Sequence, residues 1–310
     1  MDRPPSPRFD YVTIGHVTCD AIDHSAHGRI LQPGGSAFYS ALQAARLGLR
    51  TLILTQGVPG EIEAMLAPYR DELDLLVIPA EHTTTLSTRG SGATRTQRVL
   101  AWAGPIVEPV ELDTAILHLA PIARETPVVW RGRANFLGVT PQGLVRRWEQ
   151  GDGVPPIQLD ASLMLGDIPL VPPGSDVLAG DISQVDLDPS LLPDRFDAAV
   201  ISEHECASCH DLFSAARRCG AHVAVTAGPR PTTVHLPNAG IGSVAQTPAP
   251  PVVAVRDDVG AGDVFAAAFF VALADGRAPL QAATFANAAA TTRIAGVGPD
   301  AIGHREAITP

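Results

Sequence analysis

The feature that most restricts the fold is a series of short apolar runs separated by helical stretches. FDYVTIGHVTC (9 to 19) is near-continuously apolar, the pattern of a strand buried on both faces, and it runs out at Asp20. Gly34-Gly35 then leads into SAFYSALQAARLG, an amphipathic helix that stops at Gly48. TLILTQG (51 to 57), a short helix and LDLLVIPA (73 to 80) continue the rhythm. Further strands are expected at AILHLAP (115 to 121), ANFLGVT (134 to 140), PIQLDAS (156 to 162), DAAVISE (197 to 203) and HVAVTAG (222 to 228). Two helices, 262 to 275 and 279 to 295, follow late in the chain. This alternation predicts an α/β fold on a mainly parallel sheet.

Residues 83 to 107 break the pattern. TTTLSTRGSGATRTQRVLAWAGPIV has two β-prone arms around a Gly-Ser-Gly turn, which reads as a hairpin too polar for the core and hence as a lid beside the sheet. The chain shows no internal repeat and no long linker, so one domain of 310 residues with a small β lid is the economical reading.

Charge and composition remove several functions. The net charge of -11 is spread along the chain and leaves no basic stripe for nucleic acid. All 22 basic residues are arginine, which excludes a Schiff-base lysine, a Walker lysine and a Ser-Lys dyad. Any bound phosphate must be held by backbone N–H groups and arginine. The N-terminal MDRPPSPRFD lacks an apolar signal core, and no run nears the roughly 18 apolar residues of a membrane span, so a cytoplasmic location is expected.

Cys206-Ala-Ser-Cys209-His210 has the spacing of a haem attachment site, and Cys219 with His222 extends it to a zinc-like string. Haem attachment requires export. Zinc requires convergent ligands, yet residues 205 to 218 read as a helix, on which Cys209 and Cys219 lie roughly 15 Å apart. These cysteines read as packing on a helix face.

DDVGAGDVF (257 to 265) carries the chemistry. Gly260-Ala261-Gly262 opens a long apolar helix, so three backbone N–H groups and the helix dipole favour an anion there. A dinucleotide fingerprint would need a third glycine at 265, which is Phe265. Asp263, beside an anion site, suits proton removal from a hydroxyl during phosphoryl transfer. A helix-capping carboxylate is the plainer alternative.

D-x-x-G-A-G-D at 257 to 263 resembles the C-terminal signature of the PfkB/ribokinase family of carbohydrate kinases, and the resemblance extends over most of the chain. It implies an αβα sandwich with a small β lid formed by about 16 to 33 and 83 to 107. It assigns catalysis to Asp263 with Gly260, Ala261 and Gly262, and substrate binding to Asp20, Gly34, Gly35 and, with a changed contact, Tyr39. Arg98 on the lid hairpin could reach an anionic or polyhydroxyl substrate. Glu205 matches the N-x-x-E magnesium–phosphate motif, while Thr226, Gly228, Arg230 and Asn287 match the nucleotide side. Tyr39, Ser202 and Pro231 depart from the pattern, where the family has Asn, Asn and Gly. The cofactors implied are ATP and Mg2+, with a monovalent cation as a third expectation. The acceptor is a small sugar, a cyclic polyol or a nucleoside, and the stretches at 118 to 125 and 141 to 143 look like a branch that includes plant myo-inositol kinases. A catalytically weak sugar-binding regulator on the same fold is the alternative, and the lid edge is a candidate surface for a homodimer.

Overall fold

The computed structural model describes residues 9–24, 28–90, 96–107, 110–125, 130–148, 164–165, 168–169, 180–237, 243–248, 250 and 254–309. The strand expected at 156 to 162 lies outside them. The chain begins with β1 (Phe9–Ile14), β2 (Thr18–His24), β3 (Gly28–Gly34) and α1 (Ser36–Arg46). It continues through β4 (Thr51–Gly57), α2 (Pro59–Leu66), β5 (Leu73–Pro79), β6 (Thr85–Arg89) and β7 (Thr96–Ala101). Beyond these lie the helices α3 (His210–Cys219), α4 (Ala261–Ala274) and α5 (Pro279–Ile294).

The main sheet runs Val244–Gln246, Arg230–His235, His222–Ala227, Ala198–Ser202, Ala134–Val139, Thr114–Leu119, β1, β4, β5. The seven strands from His222–Ala227 to β5 are parallel, and two antiparallel strands close one edge. Helices α1, α4 and α5 cover one face. Phe38, Leu42, Phe265, Phe269 and Phe270 are fully buried there, each worth about 1.5–3 kcal/mol of transfer free energy. On the other face Leu212, Ala215 and Ala216 of α3 pack on Ala199, Ile201 and Val223. The fold is α/β with a mainly parallel sheet, as the alternation predicted.

A second sheet of five strands has the order Gly180–Asp181, β7, β6, β2, β3. Four of its strands come from the two segments expected to form the lid, and the fifth, Gly180–Asp181, comes from outside them. Its composition corrects one reading, because Thr85, Leu86, Ser87 and Thr88 of the polar hairpin are buried. Their hydroxyl groups tolerate this by hydrogen bonding: Gln97 Nε2 donates to Thr88 Oγ1 at 3.1 Å, and Thr85 Oγ1 donates to the Thr83 carbonyl at 3.2 Å.

The apolar run 9 to 19 is also two elements rather than one. Gly15 N–H still donates to the Leu54 carbonyl of β4 at 3.2 Å, and the ladder stops after it, because the following amides bond to side chains instead of to strand neighbours. His16 N–H donates to Glu125 Oε1 (2.9 Å) and Val17 N–H to Thr55 Oγ1 (2.8 Å). The chain then crosses to the second sheet, so Asp20 sits on β2 and not at the end of β1. Similarly, the helix expected from 205 begins only at His210, behind a short 3-10 turn at Cys206–Ser208.

Candidate active site

The carboxyl ends of the parallel strands, the N-termini of α1 and α4, and β2 of the second sheet converge at one place. Open α/β sheets bind ligands at this edge. On the β2 side, Asp20 is 5% exposed and its Oδ1 accepts a 2.6 Å hydrogen bond from Thr18 Oγ1. A Cβ on Gly34 would fall 2.1 Å from Asp20 Oδ2, so the absence of a side chain at 34 is what makes room for this carboxylate. Gly35 precedes α1 directly, and Ser36 opens that helix.

The N-terminus of α4 lies against α1. Ser40 Oγ donates to the Asp263 carbonyl at 3.2 Å. Gly260, at φ 76°, is in the left-handed region, and a Cβ there would strike the Tyr39 ring at 2.2 Å. The sequence suggested three outward amides, but Ala261 N–H turns back to the Asp258 carbonyl at 3.3 Å. The amides of Gly262 and Asp263 remain for a ligand, and the space over Gly262 is open.

Asp263 is half-buried in this corner. Withdrawal from water pushes its pKa up to about 6; the Ser36 hydroxyl and Arg146 oppose that rise, while Glu205 and Asp20 add to it. A carboxylate tuned so close to neutrality is a good acceptor for a hydroxyl proton. Glu205, 6% exposed, lies three residues beyond its strand and accepts the Ser202 N–H at 2.7 Å. Ser202, standing where the family motif has Asn, therefore holds Glu205 through its backbone. The structure thus draws Asp20, Gly34, Gly35, Glu205 and the 260–263 turn into one neighbourhood.

Two residues of this neighbourhood went unnoticed in the sequence. Arg146 is buried, and the charges of Glu205, Asp263, Glu125 and Asp20 offset part of the cost of burying its guanidinium. Its Nη1 donates to the Ile122 carbonyl (2.9 Å) and its Nη2 to Gln97 Oε1 (2.7 Å), joining the main sheet to β7. Glu125, wholly buried, collects the amides of His16, Ile122 and Ala123 at 2.9, 2.8 and 2.6 Å. The only sequence signal for Arg146 was an arginine shortly after the 134 to 140 strand.

Two expected substrate contacts are corrected. Tyr39 is 1% exposed, with its ring packed against Gly260, so it forms the floor of the turn and offers no surface to a substrate. Arg98 does not face this corner; the arginine whose charge acts among these carboxylates is Arg146. Side chains alternate along β7, and the face that sends Gln97 to Arg146 sends Arg98 the other way, where it pairs with Asp181 at 2.8 Å.

The residues matched to a nucleotide lie at the neighbouring edge. Gly228 is in the turn between His222–Ala227 and Arg230–His235, with open space about it. Thr226 Oγ1 donates to the Ile201 carbonyl at 3.4 Å, and Arg230 pairs with Glu203. Asn287 accepts from Thr232 Oγ1 (2.9 Å) and donates to Thr247 Oγ1 (3.0 Å), which ties α5 to the sheet edge.

Among the described residues no three His, Cys, Asp or Glu side chains group as a metal site. Magnesium carried on a phosphate needs only one or two protein carboxylates, and Glu205 beside Asp263 fits that requirement. The four cysteines are free thiols, and Cys209 is buried in the cluster beneath α3. No helix of the described residues is long and apolar enough to cross a membrane.

Residues 189–302 match the model of the pfkB family carbohydrate kinases. No curated protein sequence matches the chain. Among solved structures it is similar to a pyrophosphate-dependent kinase in the ribokinase family complexed with a pyrophosphate analog and myo-inositol, at 18% identity and TM-score 0.67, covering 93% of this chain and 96% of that one. It is similar also to Arabidopsis thaliana ribokinase complexed with ribose and ATP, at 18% identity and TM-score 0.62, covering 98% and 97%. A third is a fructokinase double mutant from Vibrio cholerae with fructose, ADP and potassium bound, at 18% identity and TM-score 0.63, covering 98% of each chain. Residues 189–302 thus match the pfkB family carbohydrate kinase model, and the chain as a whole shares its fold with solved structures of ribokinase-family kinases.

Proposed function

We propose that this protein is a kinase that transfers the terminal phosphoryl group of ATP to a hydroxyl of a small sugar, cyclic polyol or nucleoside. The observation that carries the reading is Asp263, a carboxylate with a pKa of about 6 at the mouth of a glycine turn. Asp20 accepts hydrogen bonds from the acceptor's hydroxyl groups and orients one of them towards Asp263. Asp263 removes that hydroxyl's proton as its oxygen attacks the γ-phosphorus and the bond from that phosphorus to the β–γ bridging oxygen breaks, releasing ADP, while the amides of Gly262 and Asp263 hold the transferred group in line. Glu205 would hold magnesium carried on the donor phosphates, and the ion would supply charge neutralisation there. Arg146 restrains the mutual repulsion of the carboxylates around it.

The donor edge favours a second reading for the phosphate source. Arg230 is engaged by Glu203, and both ends of the Asn287 amide are satisfied by threonines, which leaves fewer polar groups for an adenosine. Inorganic pyrophosphate, the donor named for one similar kinase, needs only the turn and the metal. A phosphate-transfer screen over inositols, sugars and nucleosides, run in parallel with ATP and with pyrophosphate, tests both. Transfer from either donor that is abolished in Asp263→Asn supports the kinase. Binding of a sugar without turnover from either donor makes the protein a sugar-binding regulator instead. A homodimer through the outer edge at β3 is a further part of the proposal, and a monomer by light scattering would remove it.

A further inference from the structure

One buried charge has no part in the chemistry above. Arg293, near the end of α5, is wholly buried. Its Nη2 donates to Asp257 Oδ2 at 2.7 Å and its Nη1 to the Asp257 carbonyl at 3.3 Å. The guanidinium carbon lies 5.5 Å from the centroid of the Tyr39 ring, close enough for a cation–π attraction. That ring is also the surface on which Gly260 rests. Arg293, Tyr39 and the glycine turn are therefore stacked, with a fixed positive charge below the place where phosphate is held.

Asp257 joins two segments through the same contacts. Its Oδ1 accepts the Val259 N–H at 2.9 Å, and its Oδ2 also accepts the Gly298 N–H at 3.0 Å. Alongside, Arg256 N–H donates to the Ile294 carbonyl at 2.9 Å. A monovalent cation seated here would need the same oxygens, because hard cations take carboxylate and carbonyl ligands. Each oxygen of Asp257 already accepts an N–H, and the guanidinium supplies the single positive charge. The monovalent cation expected from the family resemblance does not fit at Asp257.

We propose that Arg293 is the built-in monocation of the phosphate-holding turn. It ties 257–262 to 294–298 and sets a permanent charge under the transferred group, so that transfer needs no potassium or sodium. This rests on the kinase reading for its catalytic consequence, though its structural half does not. Arg293 is a positioning residue, since Tyr39 stands between it and the ligand.

The test compares potassium chloride with tetramethylammonium chloride, whose cation is too large for such a site, at equal ionic strength. The wild-type protein is expected to melt at the same temperature and to turn over at the same rate in both salts. Arg293→Ala is expected to melt higher in potassium than in tetramethylammonium, because the bared Asp257 then takes the ion. Its kcat should be about tenfold below wild type in tetramethylammonium and recover with potassium, whereas Arg293→Lys stays active in either salt. A wild-type protein that melts higher or reacts faster in potassium overturns the proposal, even if neither variant folds. Full activity of Arg293→Ala in tetramethylammonium overturns it as well. Absence of any wild-type transfer would instead refute the kinase reading, with the melting comparison still deciding the cation.

Discussion

Asp263→Asn should make the protein less active and more stable at once. The Asp263 pKa is raised from 3.8 to about 6, so the folded state binds a proton more tightly than the unfolded chain does. A carboxyl of this kind stabilises fully when protonated, below about pH 4, and that contribution is lost as pH rises through about 6. About two pKa units at ~1.4 kcal/mol each set a ceiling of about 3 kcal/mol for the cost of keeping Asp263 ionised. Because the residue is only half-buried, screening reduces this to about 1–2 kcal/mol. Asparagine has nearly the same shape and no charge, so at pH 8 the variant should melt higher by about 1.5–3 °C. The advantage should shrink below pH 6 and vanish near pH 4. Calorimetric melting over that range measures it, and the transfer assay should show kcat lower by about 10²–10⁴-fold. A variant that melts at or below wild type at pH 8 would refute the assignment of Asp263 as a desolvated, destabilising base. Retained turnover would refute its catalytic role.

Three other substitutions probe the surrounding geometry. Gly34→Ala places a methyl group where Asp20 Oδ2 now lies, so KM for the acceptor should rise by about 10- to 100-fold with a smaller change in kcat. Arg146→Met removes a positive charge that opposes the rise in the Asp263 pKa, and the acid limb of the kcat–pH profile should move to higher pH. The same variant should lose about 1–3 kcal/mol in chemical denaturation, because the Ile122 carbonyl and Gln97 Oε1 lose a buried donor. Gly260→Ala combines a positive φ with a clash on the Tyr39 ring; a loss of about 1–3 kcal/mol is expected, together with weaker phosphate binding by calorimetry.

What could be read from the sequence depended on how local the cause was. The strand Thr51–Gly57 appears with the bounds its apolar run suggested, and α4 and α5 start within a residue of their Gly and Pro signals. The glycine turn with its carboxylate was legible for the same reason, since a helix start and a following Asp are neighbours in the chain. The end of β1 was not legible, because the side chains that capture the amides of His16 and Val17 come from Glu125 and Thr55. Arg146 escaped for a related reason: its partners Ile122 and Gln97 are 24 and 49 positions away. Tyr39 reads from the sequence only as a residue following the Gly34-Gly35 pair, and it is the packing of α1 against α4 that sets its ring beneath Gly260. Nothing short-range in either segment records that packing.

The contact between α1 and α4 bears on how the molecule is made. Ser40 and the Asp263 carbonyl it holds are 223 positions apart, so one wall of the site is synthesised long before the other. Until α4 emerges, Phe38 and Tyr39 have no cover from it and present apolar surface to whatever is nearby. The newborn chain would thus own an acceptor pocket with no means of gripping phosphate, and would gain both its grip and its solubility in the same late step. A truncation before residue 257 should therefore aggregate rather than persist as a passive sugar binder, and sedimentation of such a fragment would show it.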